Sequence, residues 1–343
     1  MCARGTPDKV GQAFDILLAW WLALGLPLAW KKGSIHKDLA AYEWIGVKFT
    51  PTAAHDVEME LPTQFLQDFL EILRPFCRCK GVCRLRDAER LVGKAGRIAY
   101  VVPGARPFVT GLYAALAASK RDILSGRRRL KASVVATRRF TTPACWLRAL
   151  VRGGSDSLLP LRRIVHPGGP LRASPSAWTA QFDASTSGGG AILRMAEQIV
   201  AYTFIEWQPQ DASVLGVAPH DSAHQSFWEM VMLLVCLDLW GDDFKHEELA
   251  LVGDNTGSLQ NALDLKGSGA MAAVAREIAW RKERRGWVYS VGHIPSERNT
   301  VPDALSRQHE VPARPFPHHA LRQAHFRKPP VVADLWVAVA FPR

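Results

Sequence analysis

The sequence predicts a mixed α/β domain preceded by a mainly helical region, and three observations carry that expectation. The run Trp178-Thr-Ala-Gln-Phe-Asp183 alternates with the period of a strand and leads into the turn Ser187-Gly-Gly-Gly190. Residues 225–239 are apolar nearly all round, the pattern of a helix buried in a core. Two further strand-like runs, 248–253 and 287–292, alternate with helical patterns, as the strands of an α/β sheet do.

At 343 residues the chain is long enough for two or three domains with cores of their own. Residues 61–118 read as helices: Leu61-Pro62-Thr63 opens one, Phe65, Phe69 and Ile72 recur at helical spacing, and Pro75 closes it. Residues 119–176 form a basic connecting stretch, closed by Gly153-Gly154 and Pro167-Gly-Gly-Pro170, so the α/β domain is expected to begin near residue 175. Within it we expect a strand at 178–183, a hairpin around 190–207, a helix at 224–239 and a strand at 248–253. Helices at 257–265 and 269–285 follow, the second with Ser268 as N-cap and Gly286 as stop, then a strand at 287–292 and a short helix from Val301. Residues 308–343, rich in proline and histidine, predict little order.

Four acids fall where these elements would bring them to one edge of the sheet. Asp183 and Asp254 end their strands, which is where open α/β sheets build sites. Glu229 shares a helix face with Leu233 and Cys236. Ionising a carboxylate there is costly without a partner, and a bound cation would supply one. The fourth, Asp303, lies in the segment His293-Ile-Pro-Ser-Glu-Arg-Asn-Thr-Val-Pro-Asp303-Ala-Leu-Ser-Arg307.

That segment resembles the C-terminal signature of ribonuclease H domains in retroelement reverse transcriptases, particularly the gypsy and DIRS-like groups. Phe182-Asp183-Ala-Ser, Phe227-Trp-Glu229 and Val252-Gly-Asp254-Asn-Thr agree with it in order, and the resemblance covers residues 177–307. It implies a ribonuclease H-like mixed five-stranded sheet with flanking helices. It also implies that Asp183, Glu229, Asp254 and Asp303 are catalytic carboxylates holding two Mg²⁺ ions, with Mn²⁺ able to substitute. Asp183 would bridge both ions. His293 matches the family's mobile-loop histidine, a side chain suited to proton transfer. The implied reaction is endonucleolytic hydrolysis of the RNA strand of an RNA·DNA hybrid. Ser185, Thr186, Asn255 and Thr256 flank the aspartates and are candidate contacts to that strand.

Upstream the likeness continues. Residues 1–60 resemble the end of a reverse-transcriptase palm, with a lysine-bearing turn at 24–32 and a primer-grip-like hairpin at 42–49. Residues 91–108 resemble the thumb, where Lys94 and Arg97, one turn apart, suit phosphate contact. No Tyr-X-Asp-Asp sequence occurs, and Asp242-Asp243 follows Trp240-Gly241 in an expected loop, so no DNA synthesis is expected. The organisation is then a palm remnant at 1–60, a thumb-like region at 61–118, a basic connection at 119–176, the nuclease-like domain at 177–307 and a tail at 308–343. This is the expectation for a truncated reverse transcriptase, and it leaves room for an intact reverse transcriptase or other retroelement proteins as partners.

Charge agrees with a nucleic-acid partner. Residues 121–172 hold twelve Lys or Arg, Arg127, Arg128 and Arg129 among them, against Asp122 and Asp156, whereas residues 177–307 hold ten basic and seventeen acidic residues. The first stretch can grip an anionic backbone beside a site whose acids need cations. A solvated loop or a nuclear-targeting patch would explain the arginines as well. Each acid also has a duller reading. Asp303 with Thr300 makes a capping box, and Asp183 and Asp254 are turn-forming residues. An inactive nucleic-acid-binding relic, or another nuclease or integrase of the same superfamily, are the rival functions. Cys77, Cys79 and Cys83 cluster without a fourth ligand at finger spacing, which favours reduced thiols over zinc and an intracellular location, cytoplasm or nucleus. The apolar run 14–30 is interrupted by Asp15, Gly25 and Pro27, so no membrane partner is expected.

Overall fold

The computed structural model describes residues 7–24, 41–52, 56–78, 80–126, 133–152, 161–165, 177–244 and 248–337. They fall into two units, Met1–Gln67 with Pro160–Ala173, and Asp68–Leu159 with Ser174–Arg343. Among the described residues no helix is long and apolar enough to cross a membrane.

The first unit holds α1 (Pro7–Ala23) and an antiparallel sheet of β1 (Tyr42–Trp44), β2 (Val47–Pro51), β3 (Val57–Glu60) and β6 (Arg162–Val165), in that order. The β1–β2 hairpin turns at Ile45 and Gly46, both at positive φ, and stacks Tyr42 on Phe49 with ring centroids 5.2 Å apart. The lysine-bearing turn expected at 24–32 lies outside the described residues, except for Leu24. The division between the units falls within α2 (Thr63–Leu73).

The second unit begins with helices, as residues 61–118 predict, but they run further than expected. β4 (Val82–Arg84), α3 (Leu85–Val101), α4 (Arg106–Leu124), β5 (Val134–Ala136) and α5 (Thr141–Arg152) follow one another. Much of the expected linker at 119–176 is therefore regular structure. Its apolar residues explain why: Ala144, Cys145, Trp146, Leu147 and Val151 of α5 are all buried. Trp146 stacks on Phe108 of α4 at 4.8 Å and meets Trp280 edge-on at 4.2 Å. Trp280 belongs to α8 (Gly269–Arg285), so this contact ties the helices to the α/β domain.

That domain is built on β7 (Trp178–Ala184), β8 (Gly188–Met195), β9 (Gln198–Glu206), β10 (Glu248–Gly253) and β11 (Val288–His293). β7, β8 and β9 form an antiparallel meander, and β10 and β11 add in parallel on the other side of β7. α6 (Gln225–Trp240) packs on the face carrying Ala180, Phe182 and Ala184, as an all-round apolar helix must, since it is buried on every side. α7 (Thr256–Asp264) and α8 join the same core, and α9 (Thr300–Ser306) covers the opposite face over β7 and β8. α8 has the expected bounds, with Ser268 at its N-cap position and Gly286 ending it at φ 72°.

The tail departs from expectation. His325–Phe326 forms β12, which pairs in parallel with β9 and makes the sheet six-stranded, in the order β11-β10-β7-β8-β9-β12. Leu321, Val332, Leu335 and Trp336 are buried, and the Trp336 indole N–H donates to the Asp211 carbonyl. A polar, proline-rich composition concealed these few apolar anchors, which are enough to hold the segment down.

Candidate metal centre

The centre forms at the carboxyl end of β7, and its geometry starts with a glycine. Gly190 of β8 is the register partner of Asp183, and a Cβ built there would lie 2.6 Å from the Pro302 carbonyl oxygen and 2.7 Å from the Ser306 nitrogen. α9 therefore lies directly on bare β8 backbone. Both ends of this short helix are pinned to β7. Asn299, fully buried at its N-cap position, donates from Nδ2 to the Phe182 carbonyl at 2.9 Å and accepts from Gln181 Nε2 at 3.0 Å. Ser306, at its end, donates from Oγ to Asp183 Oδ2 at 2.6 Å. Neither Asn299 nor Ser306 was singled out from sequence. Both lie within the segment carrying Asp303, which was the available signal.

Glu229 approaches from α6. It is 3% exposed, and its Oε1 accepts from the Ala184 N–H and from Gln225 Nε2, each at 3.4 Å. Gln225 also donates to the Ala184 carbonyl, which fixes the start of α6 against the strand end. Glu229 Oε2 is buried with no hydrogen-bond partner. Asp254, immediately after β10, is half-buried and accepts from Ser296 Oγ at 2.7 Å. Oxygen atoms of Asp183, Glu229 and Asp254 lie within 4.8 Å of one another.

The crowding raises the proton affinity of Asp183 and Glu229. Burial pushes Asp183 up to about 6; the Ser306 hydroxyl opposes this, and the charge of Asp254 adds to it. Burial, then the charges of Asp183 and Asp254, hold Glu229 well above the usual carboxylate range. A divalent cation would relieve both causes. Hard oxygen donors, an orphaned carboxylate oxygen and a half-open cavity of about 610 Å³ fit Mg²⁺ or Mn²⁺.

Asp303 lines the same cavity but is not one of the clustered three. Its Oδ1 accepts from Arg307 Nε at 2.8 Å and its Oδ2 from Arg314. The capping box with Thr300 does not form, because Asn299 takes the N-cap position and the Asp303 carboxylate turns to the guanidinium groups instead. Asp254 is not the cap of the following helix either. Asn255 is, accepting from the Ser258 N–H at 3.0 Å and donating to Ser226 Oγ at 3.2 Å while lining the cavity.

Other expected site residues are placed less centrally. His293 ends β11 opposite Gly253 and is exposed, so it stands on a strand end and not in a loop, and it is not among the cavity's lining residues. Ser185 is buried, its hydroxyl engaged with Ser187, Gly188 and Ser306, because it closes the β7–β8 turn. Thr186 is half-buried and Thr256 is exposed at the start of α7. Lys94 is ion-paired with Asp68 at 3.3 Å, and Arg97 is exposed on the same helix. Arg127, Arg128 and Arg129 lie outside the described residues. Asp242 and Asp243 occupy a turn, where they accept from Trp287 and Arg327.

No family model matches the sequence, and no curated protein matches it. Among solved structures it is similar to RNase H1 from the halophilic archaeon Halobacterium salinarum NRC-1, at 18% identity and a TM-score of 0.28, over 38% of this chain and 95% of that one. It is also similar to a foamy viral protease-reverse transcriptase in complex with double-stranded DNA, at 14% identity and a TM-score of 0.30, over 85% of this chain and 44% of that one. By strand order and direction, residues 177–306 have a ribonuclease H-like fold, and it carries an acidic triad of buried Asp183 and Glu229 with half-buried Asp254.

Proposed function

We propose that the chain is a divalent-metal-dependent endonuclease that hydrolyses the RNA strand of RNA·DNA hybrids, related to the reverse transcriptases of retroelements. One observation supports this above the others: carboxylate oxygens of Asp183, Glu229 and Asp254 converge to within 4.8 Å of one another, where the buried Glu229 Oε2 has no hydrogen-bond partner. Asp183, Glu229 and Asp254 would hold the cations, and Asp303 would join Asp183 at the second one. Two such ions, when bound, activate water and stabilise charge on the phosphoryl group and the leaving oxygen.

The chain's own residues supply the positioning. Ser306 orients Asp183, Ser296 orients Asp254, and Gln225 orients Glu229, each through a hydrogen bond that fixes a carboxylate rotamer. Asn255, on the cavity wall, and Thr256 are proposed to contact the RNA strand, and His293 to move a proton during product release. The hybrid would be told apart from other duplexes by its groove shape and by 2′-hydroxyls on one strand only. Backbone gripping by Arg97 and by Arg127, Arg128 and Arg129 would make cutting tolerant of sequence.

Incubating labelled hybrid with the full chain and Mg²⁺, beside an Asp254→Asn control, tests the proposal. RNA fragments from the parent chain and intact RNA from the control are expected; intact RNA from both would refute it. Cleavage of plain duplex DNA but not of hybrid would point to an integrase-like member of the fold instead. Templated extension of a primer would contradict the expectation of no DNA synthesis.

A further inference from the structure

Asp303 differs from the cavity's other acids in being neutralised from within, by two arginines held in different ways. Arg307 follows α9 directly and is also tied to Glu310, at 3.1 and 3.3 Å. Arg314 lies eleven residues beyond Asp303, its side chain is half exposed, and among the described residues Asp303 is its one ionic partner. Its backbone is anchored separately, since Gln308 Nε2 donates to the Arg314 carbonyl at 3.0 Å and to the Ala304 carbonyl at 2.7 Å. The guanidinium can therefore leave Asp303 without moving the chain that carries it.

Where it would go follows from its chemistry and position. A guanidinium fork fits phosphate oxygens as well as it fits a carboxylate. Arg314 lines the cavity together with Asp183, Glu229 and Asp254, so a phosphodiester reaching those acids passes within its sweep. Arg314 and a divalent cation would compete for the same carboxylate.

We propose that Arg314 is a phosphate-binding residue stored on Asp303: Asp303 releases the guanidinium when it ligates a divalent cation, and Arg314 then holds the backbone of the nucleic-acid strand at the cavity mouth. This rests on the nuclease reading above. It makes the metal and the substrate mutually supportive, because each frees or engages a group that the other needs.

Mn²⁺ titration calorimetry without nucleic acid, and hybrid binding in Ca²⁺, would be measured for the parent chain, Arg314→Gln and Arg314→Lys. Arg314 is exposed enough that these variants should fold. Arg314→Gln should bind Mn²⁺ about threefold to tenfold more tightly, having lost an ion pair that competes with the metal. The same variant should bind hybrid roughly tenfold more weakly, with a shallower dependence on salt. Arg314→Lys, which keeps the charge and loses the fork, should fall between. Unchanged Mn²⁺ affinity or unchanged hybrid affinity in Arg314→Gln would overturn the inference while leaving the nuclease reading intact. A parent chain that binds no Mn²⁺ would remove the metal centre itself, and this inference with it.

Discussion

The two sides of the acidic cavity use the same residue type in opposite electrostatic states. On the side made by β7, α6 and β10, three carboxylates stand together and the buried Oε2 of Glu229 has no partner. On the side made by α9 and the segment after it, both oxygens of Asp303 are taken by guanidinium groups. Burial and crowding disfavour ionisation of Asp183 and Glu229 on the first side, whereas the second supplies its own cations. On the proposed function the difference gives the sides different work, the first to capture metal and the second to exchange one positive partner for another.

Removing a charge from the first side should have the largest effect. Asp254→Asn leaves two ligands where three stood, and losing metal-borne stabilisation worth about 3 kcal/mol corresponds to a fall of roughly 100-fold or more in hybrid cleavage. Gel quantitation of released fragments checks this, and a variant within a few-fold of the parent chain would remove Asp254 from the metal set.

Next in size is the device that brings the two sides together. Gly190→Ala would push a methyl group into the Pro302 carbonyl and the Ser306 nitrogen, both of them helix backbone that cannot swing aside. Overpacking of this kind costs about 1–3 kcal/mol. Thermal denaturation should show a loss of several degrees, together with weaker Mn²⁺ binding, since Ser306 would no longer hold Asp183. A stability loss without any change in metal binding would show that α9 plays no part in shaping the first side.

These two sites also mark how far the sequence could be read. Strands and helices with sustained periodicity were legible: β7, β10 and α8 stand within a residue of expectation, because each buries a patterned face. The convergence of Asp183, Glu229 and Asp254 was legible too, since two strand ends and a buried helix deliver carboxylates to one sheet edge. What the pattern could not show was contact between distant segments. Nothing in Gly190 announces that α9 will lie on it, and nothing in Arg314 announces that it will reach Asp303, since both depend on tertiary approach. The tail was misjudged for a related reason: Leu321, Leu335 and Trp336 are too sparse to show a period, yet each finds a buried place. Ser185 erred the other way, a polar residue beside an aspartate that serves its own turn.

A smaller effect separates the two sides by pH. Burial pushes Asp183 up to about 6 and holds Glu229 well above the usual carboxylate range, so both are protonated more readily folded than unfolded. Their ionisation therefore destabilises the metal-free fold as pH rises from the ordinary carboxylate range through about 6, and the cost is absent below that range. Melting of the metal-free protein should accordingly fall between pH 5 and 7, and Mn²⁺ should restore it at pH 7 far more than at pH 5. Glu229→Gln removes part of that slope and should raise the melting temperature at pH 7 by a few degrees, on the order of 1 kcal/mol, while abolishing the response to Mn²⁺. A variant that melts lower than the parent at pH 7 would mean that Glu229 is a satisfied core residue.

The same carboxylate-to-amide change on the other side should have the opposite sign and the smallest size. Asp303→Asn leaves Arg307 with Glu310 but deprives Arg314 of its ionic partner, so the metal-free chain loses stability where Glu229→Gln gains it. Arg314 is half exposed, which screens the pair and limits the loss to about 0.5–1 kcal/mol. A double-mutant cycle with Arg314→Gln isolates the coupling, because the two residues touch and their separate effects should not add. Coupling of zero, with both single variants as stable as the parent, would mean that the ion pair is only incidental to the fold. Arg307 alone would then neutralise Asp303, and Arg314 would have no part in setting its availability to metal.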